Sequence, residues 1–283
     1  MLIDFHTHTT ASDGALAPLE LLARARERGV GMFAVTDHDT IDGFLSLRDR
    51  AAQHGEPVRL IPGVELSCRW SGTTVHIVGL GFDSEHAAMR EALEYMENAR
   101  SQRGEQIAER LARRGFPGAL EGALGEAGEG QLGRPHFAAW MVQQGHVKDA
   151  QQAYGRYLGQ GKVGDVKAFW PDLERVVGWI VRAGGVAVVA HPYKYRFTGM
   201  KLRRLLVDFV AAGGGAIELL SGYQTPQQTA QIRRYAAEFG LEVSVGSDFH
   251  RDTPYSAEPG VSVPALQGLR GVWERWDGAG EVA

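Results

Sequence analysis

Apolar and polar positions follow two rhythms along this chain. Short apolar runs, which suit buried strands, are separated by stretches whose apolar residues recur three and four apart, which suit helices. The first run, Met1 to Phe5, leads directly into His6-Thr-His8. Pro18 to Arg28 has helical spacing, with Pro at its start and Gly29 beyond its end. Gly31 to Thr36 predicts a buried strand running into Asp37-His38-Asp39, and about Ile41 to His54 predicts a second helix. Val58 to Val64 leads to Glu65, and Thr74 to Gly79 predicts a strand carrying His76. This β-α-β-α order argues for parallel strands with helices outside them.

The rhythm changes near Ser84. Glu85 to Arg114 predicts one long helix rich in Arg and Glu, Gly115 to Gly133 a glycine-rich loop, Arg134 to Val142 a helix, and about Lys148 to Leu158 another. The α/β alternation resumes at Pro171. Helices near Asp172–Ala183, Lys201–Ala212 and Pro226–Phe239 precede the strands Val186–Ala190, Ala216–Leu220 and Leu241–Gly246, and a last helix is expected near Val263–Trp276. The expected organisation is an α/β catalytic unit, 1–84 and 170–283, interrupted by a helical insertion at 85–169.

Composition adds limits. The 283 residues are 44% hydrophobic and 23% charged, an ordinary globular balance. The net charge of −4 provides no basic field for long nucleic acid, so stable binding to it is not expected and any polyanion site must be local. A single cysteine, Cys68, excludes an internal disulfide, fits a reducing compartment and reads as a small packed residue. No apolar run approaches the roughly 20 residues of a membrane span, and no signal peptide is visible, so a cytoplasmic protein is expected.

The candidate chemistry lies at the strand ends. In a strand, residues two apart share a face, so His6 and His8 leave the first strand side by side, as two ligands of one ion would. An isolated His-x-His beside a turn reads equally well as a surface pair. Six histidines in the same kind of position change that reading: His6, His8, His38, His76, His191 and His250, with Asp13, Glu65 and Asp248 beside them. Sites in parallel α/β folds form at the carboxyl ends of strands. Burying so many ionisable groups without a cation would cost several kcal/mol each. Mixed imidazole and carboxylate ligands suit Zn, Mn or Fe, and two or three such ions suit phosphoryl transfer. No Ser–His–Asp order and no phosphate-cradling Gly-Lys-Ser/Thr loop competes.

His6-x-His8, Asp13, Thr36-Asp-His38, Gly63-Val-Glu65, His76, Ala190-His191-Pro192 and Ser247-Asp248-x-His250 resemble the full motif set of the PHP (polymerase and histidinol phosphatase) family, in family order. The resemblance implies a distorted (β/α)7 TIM-like barrel and a phosphoesterase with two to three divalent ions, often Mn²⁺, with Zn²⁺ or Fe²⁺ as alternatives. It implies one ion on His6, His8, Glu65 and Asp248, a second on Asp13, His38 and His250, and a third among Glu65, His76 and His191. Asp13, His38 and His191 are the expected catalytic residues.

Within the insertion, Arg100-Ser-Gln-Arg103, Gly133-Arg134-Pro-His136 and Tyr157-Leu-Gly-Gln-Gly-Lys162 are similar to the subgroup containing 3',5'-nucleoside bisphosphate phosphatases, as is His191-Pro-Tyr-Lys-Tyr195. The subgroup removes the 3'-phosphate, and a close relative acts as a 5'-to-3' exonuclease on short RNA. Arg100, Arg103, Arg134, His136, Lys162 and Asp13 are therefore the expected substrate contacts. After Lys162 the chain departs from the subgroup: Val163-Gly-Asp-Val166 stands where relatives carry Pro-Ala-Tyr-Val. The competing reading for Arg100 and Arg103 is a solvated helix face. For Arg134 it is a pair with a nearby acid, and for His136 a core or hydrogen-bonding role. His54, His86 and His146 read as surface residues. Four functions remain in view: bisphosphate phosphatase, exonuclease on short RNA, phosphatase of histidinol phosphate or a similar monoester, and a PHP-like scaffold without chemistry. The filled ligand set argues against the last, and the arginines of the insertion argue against a simple monoester.

Overall fold

The computed structural model describes residues 2–54, 58–254 and 256–277. Chain order is β1 (Leu2–Asp4), α1 (Pro18–Glu27), β2 (Val30–Phe33), α2 (Asp42–His54), β3 (Arg59–Leu60), β4 (Gly63–Trp70), β5 (Thr73–Leu80), α3 (Ala87–Ala112), α4 (Ala119–Ala127), α5 (Arg134–Gln143), α6 (Ala150–Ala153), α7 (Leu173–Arg182), β6 (Val186–Val189), α8 (Gly199–Ala211), β7 (Ala216–Ser221), α9 (Pro226–Phe239), β8 (Glu242–Gly246) and β9 (Val261–Ser262). The strands form two sheets, in the orders β3-β2-β1-β9 and β4-β5-β6-β7-β8. The fold is α/β, but the named strands do not close into a continuous barrel. The sheets adjoin at two seams, where Phe5 N–H donates to Val245 O at 3.0 Å and Glu65 N–H to Asp37 O at 3.2 Å.

The expected all-parallel arrangement is corrected. β4 and β5 form an antiparallel hairpin, and β5 pairs antiparallel with β6. Ser71 (φ 45°) and Gly72 (φ 72°) join the hairpin, a two-residue turn whose positive φ angles match strand twist. As a result Glu65 lies inside a strand instead of at its end, and His76 sits on a strand running the other way.

Three further differences have local causes. The segment expected as a loop at 115–133 contains α4, because Ala119-Leu-Glu-Gly-Ala-Leu is helix-forming between Gly118 and Gly128, which sit at its two ends. The helix expected over 148–158 is the single turn α6, capped by Asp149, followed by a wider turn, Tyr154–Leu158. The last expected helix is absent: only a short 3₁₀ turn, Val272–Arg275, forms there. Pro264 restricts the segment, and Gln267 (φ 53°) and Gly268 (φ 89°) turn the chain out of helical geometry.

Apolar packing divides among three clusters. The largest includes Leu66, Ile77, Val188, Ile217 and Trp179, and also the first half of α3 through Met89, Ala92, Met96 and Ala99. A second lies within the insertion and holds Ile107, Leu111, Phe137, Trp140 and Leu158. A third packs Leu21, Leu22, Phe33 and Leu47 beside β2. α3 thus changes packing partner between Ala99 and Ile107, where Arg100 and Arg103 lie. Cys68 is fully buried in the largest cluster. Among the described residues, no helix is long and apolar enough to cross a membrane.

Candidate metal centre

β1 continues past Asp4 as extended chain held on both sides. Thr36 N–H donates to Thr7 O at 2.9 Å, and His8 N–H to Phe249 O at 2.9 Å. The strands come very close here: a Cβ on Gly246 would lie 2.3 Å from His6 Cβ, so only glycine fits beside His6. His6 and His8 therefore project together, with their Nε2 atoms 3.1 Å apart.

The structure brings all nine expected ligand-type residues together. Glu65 is central and fully buried. Its Oε2 lies 3.1 Å from His6 Nε2, 3.2 Å from His8 Nε2 and 3.1 Å from His38 Nδ1. Its Oε1 lies 3.0 Å from His76 Nδ1 and 2.8 Å from His191 Nε2. Asp248 Oδ1 is 3.6 Å from His6 and 3.5 Å from His8. Asp13 closes the far side, 3.4 Å from His250 Nε2 and 4.0 Å from His38 Nε2. Glu65 reaches both the His6–His8 side and the His76–His191 side, so it bridges more of the cluster than Asp248 does.

The donor set fits cations. Among the described residues, the buried side-chain atoms without a hydrogen-bond partner include His8 Nδ1, Asp13 Oδ1, His38 Nδ1, Glu65 Oε2 and His191 Nδ1. Unpartnered polar atoms are costly in an interior, and their concentration at one point marks a missing partner. Groups of three or four ligand atoms lie within 4.8 Å of one another, including His8, Asp13, His38 and His250, and His6, His8 and Asp248. Burial, with Lys194 nearby, pushes His191 down to about 4, and burial also lowers His38 and His250, so these imidazoles are neutral and able to ligate. His6 is the exception. Burial alone would lower it, but the Glu218 and Glu65 carboxylates outweigh that and push it up to about 10. Two site residues hold left-handed backbone, His191 (φ 29°) and Asp248 (φ 55°), the kind of strain that collects at functional sites.

A cavity of about 110 Å³ joins this cluster to the insertion. Asp13, His38 and His76 line one side, Arg100, Arg103 and Arg134 the other. Arg100 and Arg103 are buried, not on a solvated face. Arg100 ion-pairs with Asp39 at 2.6 Å and donates to Leu132 O at 2.8 Å. Arg103 donates from Nε to Val166 O at 2.9 Å and lies 4.9 Å over the Trp170 ring. Burial, then Arg134 and Arg100, push Arg103 down to about 9. A guanidinium keeps its proton in proteins, so that shift expresses first the cost of burying the charge and then repulsion from Arg134 and Arg100, both of which a bound anion would relieve. Arg134 donates to Leu158 O at 3.1 Å instead of pairing with an acid.

One expected substrate contact lies elsewhere. Lys162 is exposed and lines neither this cavity nor its neighbour. The basic side chain from this segment on the neighbouring cavity's wall is Lys167. The irregular chain after Leu158 explains the difference, because it turns Lys162 outward. His136 caps α5, accepting from Gly133 N–H at 3.0 Å. Of the three histidines read as surface residues, His146 is exposed, His86 caps α3 by accepting from Ala88 N–H, and the His54 side chain lies outside the described residues.

Several supporting residues were not in the expected set. The Nδ1–H of His6 donates to Glu218 Oε1 at 2.5 Å, and the His191 N–H to Glu218 Oε2 at 2.5 Å. The signal was a lone carboxylate inside the apolar strand Ala216–Leu220. Asp37 accepts from Thr9 N–H at 2.7 Å and Ser12 Oγ–H at 2.6 Å, holding the loop that presents Asp13. Lys194 pairs with Asp248.

The sequence profile of the PHP domain matches residues 4–158. The chain is 42% identical over 273 residues to a 5'-3' exoribonuclease of Haemophilus influenzae, covering 96% of this chain and 98% of the relative. This chain belongs to the PHP domain family. It is also 41% identical, over 249 residues, to a 3',5'-nucleoside bisphosphate phosphatase of Chromobacterium violaceum, covering 88% of this chain and 87% of the relative. A solved amidohydrolase from Chromobacterium violaceum, with bound sulfate and no metal, matches with a TM-score of 0.87 at 37% identity, covering 97% of this chain and 95% of that one. The PHP motifs and the cluster around Glu65 thus occur together in one fold.

Proposed function

We propose that this chain is a metal-dependent phosphatase that hydrolyses the 3'-phosphate of 3',5'-nucleoside bisphosphates, leaving the nucleoside 5'-monophosphate. The observation that carries this reading is the cavity with a nine-residue metal-type cluster on one side and three arginines on the other. A substrate with two phosphates satisfies both sides, whereas a monoester such as histidinol phosphate leaves the arginines facing one another. On this reading, residues 1–84 and 170–283 form the catalytic unit, a distorted (β/α)7 arrangement, and 85–169 form a cap that binds the distal phosphate.

His6, His8, Asp13, His38, Glu65, His76, His191, Asp248 and His250 would hold two or three divalent ions, with Mn²⁺ expected and Zn²⁺ or Fe²⁺ as alternatives. When bound, such ions supply Lewis acidity toward phosphoryl oxygens and an activated water. The protein supplies orientation. Glu218 fixes the His6 ring through Nδ1, leaving Nε2 free to ligate. Asp13 and His38 stand at the junction between the cluster and the cavity, against the scissile phosphate. His191 closes the opposite side. Arg103 and Arg134 hold the 5'-phosphate by charge-assisted hydrogen bonds, and Arg100, anchored by Asp39, adds positive potential behind them.

A second reading is 5'-to-3' exonuclease action on short RNA. It breaks the same bond, between the 3' oxygen and phosphorus, in a substrate whose phosphorus carries a further nucleoside. Two observations favour it: the exoribonuclease relative matches along nearly the whole chain, and a second, larger cavity reaches His191, Asp248 and His250. The net charge of −4 still argues against tight binding of long nucleic acid.

The test is a panel assay with Mn²⁺ covering adenosine 3',5'-bisphosphate, 5'-monophosphates, histidinol phosphate and short RNAs. Phosphorus NMR should identify the 5'-monophosphate as the product from the bisphosphate. The 3'-monophosphate as sole product would reverse the two phosphate sites.

A further inference from the structure

One corner of the cluster is held by a residue that offers it no ligand atom. Glu65 Oε1 lies 3.0 Å from His76 Nδ1 and 2.8 Å from His191 Nε2, and the two imidazole nitrogens are 3.4 Å apart. These histidines sit on neighbouring strands at the point where regular pairing stops. β5 and β6 pair from Leu80 with Val186 to Ile77 with Val189. One more rung forms, as Ala190 N–H donates to His76 O at 3.2 Å. The chain then turns away at His191, whose backbone is left-handed (φ 29°). A ladder that ends this way leaves the last strand residue free to shift unless its backbone finds another partner.

Tyr195 is that partner. Its hydroxyl accepts from His76 N–H at 2.9 Å and donates back to His76 O at 3.3 Å, so it takes the place of a strand residue. Burial pushes this hydroxyl well above its ordinary value, which keeps the proton that the second bond needs. The ring serves the other histidine. It stands edge-on to the His191 imidazole, with centroids 5.4 Å apart. On its far side the ring packs 5.4 Å from Phe197, which packs 5.7 Å from Trp70. The loop that returns Tyr195 to β5 is itself ordered. Lys194 N–H donates to His191 O at 2.9 Å and Arg196 N–H to Tyr193 O at 3.2 Å. One side chain thus grips His76 through its backbone and His191 through its ring.

We infer that Tyr195 is the positioning residue for the His76–His191–Glu65 corner, and that its hydroxyl decides whether the cluster holds two cations or three. The inference rests on the metal-dependent reading proposed above. The rest of the cluster is anchored from other elements. Glu218 on β7 holds the His6 ring through Nδ1. Asp37 holds the loop before Asp13, and Arg251 donates to Asp13 O at 2.9 Å. Loss of the Tyr195 hydroxyl therefore loosens one corner and leaves the other ligands in place. Outer partners of ligands change metal affinity in this way without touching the ion.

The experiment counts Mn²⁺ in the full chain without substrate, by elemental analysis after loading and gel filtration and by titration against a chromophoric chelator. It compares wild type, Tyr195→Phe and Tyr193→Phe. Tyr193 is on the same loop, but its hydroxyl donates to Gln228 O at 3.3 Å, away from His76. Both changes keep the ring, and circular dichroism of the metal-free chain verifies the fold. Wild type and Tyr193→Phe should hold three ions and Tyr195→Phe two. In the chelator titration the weakest ion of Tyr195→Phe should bind about 10- to 100-fold less tightly, and the others within about threefold of wild type. Raising free Mn²⁺ should restore the third ion by mass action. Equal weakening of every ion marks a general structural defect and overturns the inference. Unchanged binding also overturns it, as would follow if Tyr195, which lines the neighbouring cavity, served substrate alone. Wild type with only two ions leaves no third ion to place, which overturns the inference while the polynuclear reading stands. Wild type with fewer than two overturns both.

Discussion

Glu218 and the arginines show how single side chains divide the work. Glu218 is buried and bonded to both His6 and the His191 backbone, so it orients two cluster residues without touching the cavity. Outer partners of this kind tune metal affinity, and Glu218→Gln should weaken binding by about 10- to 100-fold. Competition against a chromophoric chelator measures this, and unchanged affinity would remove Glu218 from the role. Arg103 and Arg100 should separate by assay. Arg103→Ala removes a phosphate contact of roughly 1.5–3 kcal/mol, so the specificity constant for a 3',5'-bisphosphate should fall by about one to two orders of magnitude. For the matching 3'-monophosphate it should barely move. Arg100→Ala instead strands Asp39, which is fully buried. Breaking a buried pair from one side costs about 3 kcal/mol, so this variant should lower the denaturation midpoint and affect both substrates alike. If Arg100→Ala leaves stability unchanged and damages only the bisphosphate reaction, its anchoring role is wrong.

At the scale of elements, α4 and α5 set the arginine side of the cavity through their packing. A Cβ on Gly122 of α4 would lie 1.9 Å from the Trp140 ring of α5. An Ala in a helix normally gains about 0.5–1 kcal/mol over Gly, whereas overpacking a close-packed contact costs about 1–3 kcal/mol. Trp140 is buried and its ring is rigid, so overpacking should win. Gly122→Ala is expected to destabilise the protein by about 1–2 kcal/mol and to weaken bisphosphate binding as α5 and Arg134 shift. Urea denaturation checks the first effect, and a gain in stability would show that the helices have room to separate.

For the whole molecule, cations and substrate phosphates are structural partners as well as reactants. Carboxylates and imidazoles crowd around Glu65 on one side of a small cavity, and on the other Arg103 and Arg134 spend their hydrogen bonds on backbone carbonyls, Val166 O and Leu158 O, instead of a carboxylate. A ligand present at about 100 times its dissociation constant stabilises the folded state by about 2.7 kcal/mol. The melting temperature should therefore rise by about 5–10 °C with Mn²⁺, and rise again with adenosine 5'-monophosphate. EDTA should reverse the first shift. Elemental analysis after loading should find at least two transition-metal ions per chain. Fewer than two, with activity intact, would exclude the polynuclear arrangement.

The nine cluster residues were legible in the sequence because their signal is local. A polar residue ending or interrupting a short apolar run, or in the loop just beyond it, stands out whatever surrounds it, and spacing by two places His6 and His8 on one face. Most helix and strand types followed from periodicity for the same reason, except at α4, after α6 and in the final segment, and so did the buried setting of Cys68. What the sequence left open depends on residues far apart in the chain. The direction of β4 and β5 is set by their partners, so Glu65 became the centre of the cluster instead of one strand-end ligand among several. The burial of Arg100 and Arg103 depends on α3 passing from one apolar cluster to another, which a polar helix pattern does not reveal. Glu218 lies 212 residues from His6. Lys162 turned outward and Lys167 inward because the wide turn after α6 reoriented the following chain. Local chemistry set which side chains could bind a cation or a phosphate, and tertiary packing decided which of them face the same space.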